Sequence, residues 1–160
     1  MIFKEEINDI FANDNPDHYY AQCISADFGM GKGIAIAFNQ KFNCKNKLIA
    51  QFKNYEKTWR NDNKASWCLP VDRVFNLVTK PKYWTKPSYA TIGKALSDMK
   101  EYCVNHPEIK IIIIPPLGCG LDKLNYTHVK NMINFIFQNT DITIICRTND
   151  PLFAQKYFNN

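Results

Sequence analysis

A chain of 160 residues that is 46% hydrophobic and 22% charged has the balance of a globular domain with its own core, and it carries no internal repeat or low-complexity tract. No run of about 18 or more apolar residues is present, so a transmembrane helix is not expected, and the acidic start MIFKEEIND argues against a signal peptide and secretion. The formal charge of +5 suits an anionic ligand or nucleic acid, or simply a solvated basic surface, because the lysines are dispersed.

In chain order, residues 1–4 and 19–24 read as strands. Residues 33–42 predict a helix with Ile34, Ala37, Phe38 and Phe42 on one side. A second short helix is expected near 46–55. Residues 65–69 and 73–79 have the pattern of two strands joined by a turn at Pro70-Val71-Asp72. Ser88 is a good cap for a helix reaching residue 104, with Tyr89, Ile92, Leu96, Met99 and Cys103 three or four residues apart. The run 109–114 is the most apolar strand, a helix is expected over 127–139, and 142–147 is a further apolar strand. Asp150-Pro151 supplies a cap and first turn for a last short helix. Helices set between continuously apolar strands predict an α/β fold, one domain over 1–160, whose largely parallel sheet is covered on both faces.

In such sheets ligands lie outside the carboxyl ends of the strands, which singles out the loops 25–33, 80–86, 115–122 and 148–149. The first, SADFGMGKGIA, sets Gly29, Gly31 and Gly33 at alternate positions ahead of a helix. Glycine lets backbone N–H groups come close to a ligand, and a helix N-terminus favours negative charge. A phosphate or diphosphate is the natural guest, and a tight strand-to-helix turn is the plainer alternative. The spacing is neither GxxxxGK[ST] nor a GxGxxG after the first strand, so neither a nucleoside-triphosphatase loop nor a dinucleotide fingerprint is supported. The loop PPLGCG over 115–120 is equally poor in side-chain bulk. Two such loops facing one another would make a slot with main-chain donors on both sides.

Lys80 follows VFNLVT and Asp122 follows LGCGL, each at the mouth of a strand. They make either a surface salt bridge or an amine nucleophile with its acid. A lysine in water is only about one part in a thousand neutral at neutral pH, so attack by the amine requires burial or a base that takes its proton. The six cysteines show no CxxC pair and no Cys/His cluster, which predicts reduced, mostly buried thiols in the cytoplasm or nucleus and no zinc. His18, His106 and His128 share no motif and are expected at the surface. Trp84, in KPKYWTKP, is placed to border the site, whereas Trp59 and Trp67 are core or rim.

Three blocks, QCISADFGMGKGIAIAFNQKF (22–42), NLVTKPKYWTKPSYATIGKAL (76–96) and IIIPPLGCGLDKLNYTHV (112–129), together resemble the macrodomains. These are ADP-ribose-binding modules with a three-layer α/β/α fold around a central mixed, largely parallel sheet. Within them the chain is similar to the subclass of terminal ADP-ribose protein glycohydrolases and DNA ADP-ribosyl glycohydrolase antitoxins. The resemblance implies that Asp9 takes the exocyclic amine of adenine and Ile10 makes a backbone contact, with Asn8 where the family usually has glycine. It implies that Ser25, Met30, Gly31, Gly33 and Ile34 lie against the distal ribose and diphosphate. Pro116, Leu117, Gly118, Cys119, Gly120 and Leu121 would form the second phosphate loop, and Thr79 and Asn149 would complete the substrate contacts. Lys80 matches the lysine that attacks the anomeric carbon of the distal ribose, and Asp122 the acid that assists and later resolves the lysyl adduct.

An acid directly after GCGL points to the protein glycohydrolases, while MGKGIA and IPPLGCG look more antitoxin-like. The Asn-Ala-Ala-Asn motif of another hydrolase subclass is absent, with CISADF in its place, so that subclass's water-activated mechanism is not expected. The resemblance therefore implies a hydrolase that removes ADP-ribose from acidic side chains, nucleobases or O-acetyl-ADP-ribose, with no cofactor and no metal. An ADP-ribose-1''-phosphate phosphatase and a non-catalytic ADP-ribose reader are the alternatives. The implied partners are ADP-ribose or ADP-ribosylated protein or nucleic acid, with no membrane, and a monomer is expected.

Overall fold

The computed structural model describes residues 1–60 and 64–158. Along the chain run β1 (Ile2–Ile7), β2 (His18–Ser25), α1 (Ile34–Phe42), α2 (Cys44–Gln51), α3 (Tyr55–Thr58), β3 (Cys68–Val71) and β4 (Val74–Lys80). There follow α4 (Tyr89–Val104), β5 (Ile111–Ile114), α5 (Tyr126–Ile136), β6 (Thr143–Thr148) and α6 (Pro151–Tyr157). The six strands form one sheet in the order β1-β6-β5-β2-β4-β3. Every pairing is parallel except that of β3 with β4.

Side chains alternate across a strand, and here both sides are buried. Phe75 and Leu77 of β4, with Ala21 of β2, enter one core with Ile92, Leu96 and Met99 of α4 and Val129 and Ile133 of α5. Val74 and Val78, with Tyr20 and Ile24, enter a second core with Phe38 of α1 and Leu48 of α2. Phe153 and Tyr157 of α6 pack on the first core. The result is three layers, with α4, α5 and α6 on one face and α1, α2 and α3 on the other.

Local signals explain most boundaries. Ser88 Oγ accepts from the Thr91 N–H and Thr91 Oγ1 accepts from the Ser88 N–H, a reciprocal cap that starts α4. Asp150 accepts from the N–H groups of Leu152 and Phe153, with Pro151 in the first turn of α6. Two expectations shift. The helix expected near 46–55 is two shorter ones, because Asn54 in the left-handed region breaks the run between α2 and α3. Pro70 and Val71 belong to β3, and Val71 pairs with Val74, so the turn is only Asp72-Arg73, with Asp72 at φ 53. Pro70 is tolerated because β3 is an edge strand. Among the described residues no helix is long and apolar enough to cross a membrane.

Candidate active site

The parallel strands all end on one rim, and a β-bulge there decides where Lys80 points. Ile24 pairs with Val78 but Ser25 pairs with Lys80, so Thr79 is the extra residue. Strict alternation from Val74 and Val78 would send Lys80 to the α1 face. The bulge turns it to the opposite face, where the loop after β5 lies. There Lys80 Nζ donates to Asp122 Oδ1 at 3.1 Å. Both side chains are mostly buried, at 15% and 16% exposure, while Lys86 Nζ lies 3.9 Å from the same oxygen and is open to solvent. Thr79 is buried, and among the described residues its Oγ1 has no partner.

The two glycine loops face each other beside this pair. A Cβ on Gly33 would lie 3.6 Å from the Leu121 side chain, whereas at Gly31 and Gly120 it would meet nothing within 4 Å. Gly33, at φ 62, caps α1 without a side-chain bond; the Ile36 N–H donates to Gly33 O, and among the described residues the Ile34 and Ala35 N–H groups have no acceptor. Among the described residues no acceptor faces the N–H groups of Gly31, Gly33, Gly120 or Leu121. Gly118 is packed rather than open. Its φ is +72, and a Cβ there would come 2.7 Å from Ile92 Cδ1.

Asp27, which sequence reading passed over, fastens the first loop to the segment after β4. Its carboxylate accepts from Ser25 Oγ, the Gly29 N–H and the Tyr83 N–H. Burial pushes the Asp27 carboxyl up, but these three donors outweigh it and the net shift is downwards. The signal was an acid two residues after a strand-ending serine, the spacing of a side-chain-closed turn. Ser25 itself is buried with its hydroxyl turned to Asp27, and the Met30 side chain enters the second core. Those two residues support the loop more than they line it.

At the other end of the rim, beyond β5, a cleft of about 520 Å³ opens between the loop after β1, the start of α1, and the ends of β5 and β6. Asp9, Ile10, Ile34, Pro116 and Asn149 line it, together with Arg147. Thr79, Lys80 and Asp122 do not. In the strand order β1-β6-β5-β2-β4 the cleft and Lys80 are four strand spacings apart at most, roughly 19 Å. The glycine loops occupy the middle. A nucleotide base, a diphosphate and a second sugar laid along the rim would meet these three stations in turn.

The segment that follows Lys80 carries exposed aromatics. Tyr83 and Trp84 are 54% and 64% exposed and meet edge to face at 5.0 Å, with Lys82 Nζ over the Trp84 ring. Trp59 is buried and packs on the partly buried Trp67. Cys119 donates to Leu117 O, and burial pushes its thiol up to about 12, so it is a small packing residue and not a nucleophile. Of the histidines, His128 lies at the surface against Tyr89, but His18 and His106 are half buried. No three His, Cys, Asp or Glu side chains gather to hold a metal ion among the described residues.

No family model matches the chain. The ADP-ribose glycohydrolase OARD1 of Homo sapiens is 34% identical over 140 residues, covering 88% of this chain and 87% of that protein. The macrodomain of Mycobacterium tuberculosis DarG superposes with a TM-score of 0.72 at 21% identity, over 93% of this chain and 99% of that one. Thermosipho africanus DarTG, solved in complex with ADP-ribose, has a TM-score of 0.65 at 15% identity, over 96% of this chain and 44% of that one. The fold shared with the last two is the three-layer arrangement described above.

Proposed function

The chain belongs to the macrodomain family of the ADP-ribose glycohydrolase OARD1, and we propose that it is itself a hydrolase that releases ADP-ribose from a carrier by lysine attack on the distal ribose. The observation that carries this reading is the mostly buried Lys80–Asp122 pair on the same rim as a nucleotide-sized cleft, with the two glycine loops between them. Adenine occupies the cleft against Asp9 and Ile10. The diphosphate lies between the glycine loops, held by main-chain N–H groups and the uncapped start of α1. The distal ribose then rests over Lys80.

The chemistry follows from that order. Asp122 accepts the proton that Nζ sheds as the amine attacks. The bond from Nζ to the anomeric carbon forms while the bond from that carbon to the carried group breaks, and the group leaves with the bonding pair. Water then releases the sugar from Lys80, with Asp122 returning a proton to the amine. The exposed Tyr83–Trp84 pair lies on the segment after Lys80, where Lys82 is already paired with Glu56. Its flat faces suit a planar carrier such as an ADP-ribosylated nucleobase better than an acetyl group.

Calorimetry with ADP-ribose, followed by turnover of glutamate-linked, thymidine-linked, acetylated and phosphorylated ADP-ribose, tests the proposal. Binding with release of ADP-ribose from at least one glycosidic or ester substrate is expected. Tight binding without any product would make the protein a reader. Phosphate release from ADP-ribose-1''-phosphate that survives Lys80→Ala would make it a phosphatase.

A further inference from the structure

Arg147 is 6% exposed, near the end of β6, in a position where an apolar residue would be expected to fill the second core beside Ile145. A buried guanidinium is costly unless its donors are matched. Here the match is specific. The register sets Glu6 of β1 opposite Arg147, and Nε donates to Glu6 Oε1 at 2.9 Å. Nη1 donates to two carbonyls of the loop after β1, Ile10 O at 3.1 Å and Ala12 O at 2.8 Å.

Those two bonds fix how the loop presents its amides. In a trans peptide the N–H and C=O point opposite ways. Ile10 O is turned down to Arg147, so the Phe11 N–H is turned away from it. Asp9 O accepts from the Ala12 N–H, so the Ile10 N–H is turned outward too. Among the described residues neither the Ile10 nor the Phe11 N–H has an acceptor. Both residues line the cleft beside the Asp9 carboxylate. A carboxylate acceptor next to main-chain donors is complementary to the amidine edge of adenine, which offers an amine donor beside a ring-nitrogen acceptor. Hypoxanthine offers the reverse pattern.

We propose that Arg147 is the residue that sets this chain's preference for adenine. It acts as a positioning residue, through the Ile10 and Ala12 carbonyls, from the wall of the cleft. The inference rests on the nucleotide site proposed above. A lysine would not substitute, because one ammonium on a flexible stem lacks the planar fork that reaches a carboxylate and two carbonyls together.

The test is a discrimination ratio, which a general loss of stability would not move. ADP-ribose and its hypoxanthine counterpart, inosine diphosphate ribose, are titrated into the unmodified protein, Arg147→Met and Glu6→Gln. The unmodified protein should prefer ADP-ribose by about tenfold or more. Arg147→Met should lower that preference to within about twofold, with the loss of turnover carried by KM rather than kcat. Glu6→Gln, which loosens the guanidinium but keeps it, should fall between. A ratio unchanged in Arg147→Met overturns the inference. Should that variant fail to fold, an unchanged ratio in Glu6→Gln overturns it and a reduced one supports it. Unmodified protein that binds both nucleotides equally also overturns the role of Arg147 while leaving the nucleotide site standing. Protein that binds neither refutes the site itself.

Discussion

Replacing Lys80 by alanine separates chemistry from binding, and the structure sets the size of each effect. The lost contact is one charge-assisted bond to Asp122 at 3.1 Å, between side chains 15% and 16% exposed. A bond to a charged group contributes about 1.5–3 kcal/mol. Asp122 keeps some solvent access, and Lys86 at 3.9 Å can close in on it, so the net cost belongs near the lower end. A loss of about 1–2 kcal/mol lowers Tm by about 3–6 °C in a chain this size. Binding should hardly change, because the proposed diphosphate contacts are main-chain N–H groups of other loops. Removing a nucleophile is different in scale, and turnover should fall by more than about 10³-fold, with no covalent adduct on the protein. Mass spectrometry of the denatured reaction, beside calorimetry with ADP-ribose, reads both outcomes. Turnover within about tenfold of the unmodified protein would refute lysine attack.

A pair of alanine substitutions tests the second loop. Gly118→Ala combines a φ of +72 with a Cβ 2.7 Å from Ile92 Cδ1 and 3.0 Å from Leu124 Cδ1. Both neighbours are flexible ends, so about 2–4 kcal/mol is expected, against less than about 1 kcal/mol for Gly120→Ala, where the Cβ meets open space. Equal denaturant midpoints for the two would contradict the loop geometry. Away from the site, the Arg73 guanidinium holds the Asp14 carboxyl well below the usual carboxylate range. A group depressed in the folded state stabilises above its unfolded pKa and loses that contribution as pH falls through the folded value. The stability gap between the unmodified protein and Asp14→Asn should therefore be full above about pH 5 and shrink below about pH 4. Urea melts at several pH values check this, and a gap that is constant down to pH 3 would count against it.

Secondary structure was readable from the sequence because its signals are local. The apolar run of β5, the reciprocal Ser88–Thr91 cap and the Asp150-Pro151 start each depend on neighbours within a few residues. The misread turn at Pro70 has the same logic in reverse. Proline is compatible with a strand only at an edge, and edge position is a property of the sheet, not of the tetrapeptide. Asp27 and Arg147 were missed for a related reason. The turn that Asp27 closes on Gly29 is local, but its tie to the Tyr83 N–H and a guanidinium that holds carbonyls 135 and 137 residues away have no signature within any window of sequence.

The sequence alone determined which residue types were available at the strand ends: side-chain-poor loops, an amine directly after β4's apolar run and an acid directly after LGCGL. Whether amine and acid meet was settled by a single inserted residue. Without the bulge at Thr79, the alternation of β4 would carry Lys80 to the α1 face, with the sheet between it and Asp122. Register is a property of two strands together, so the chain decides it only once β2 and β4 have paired.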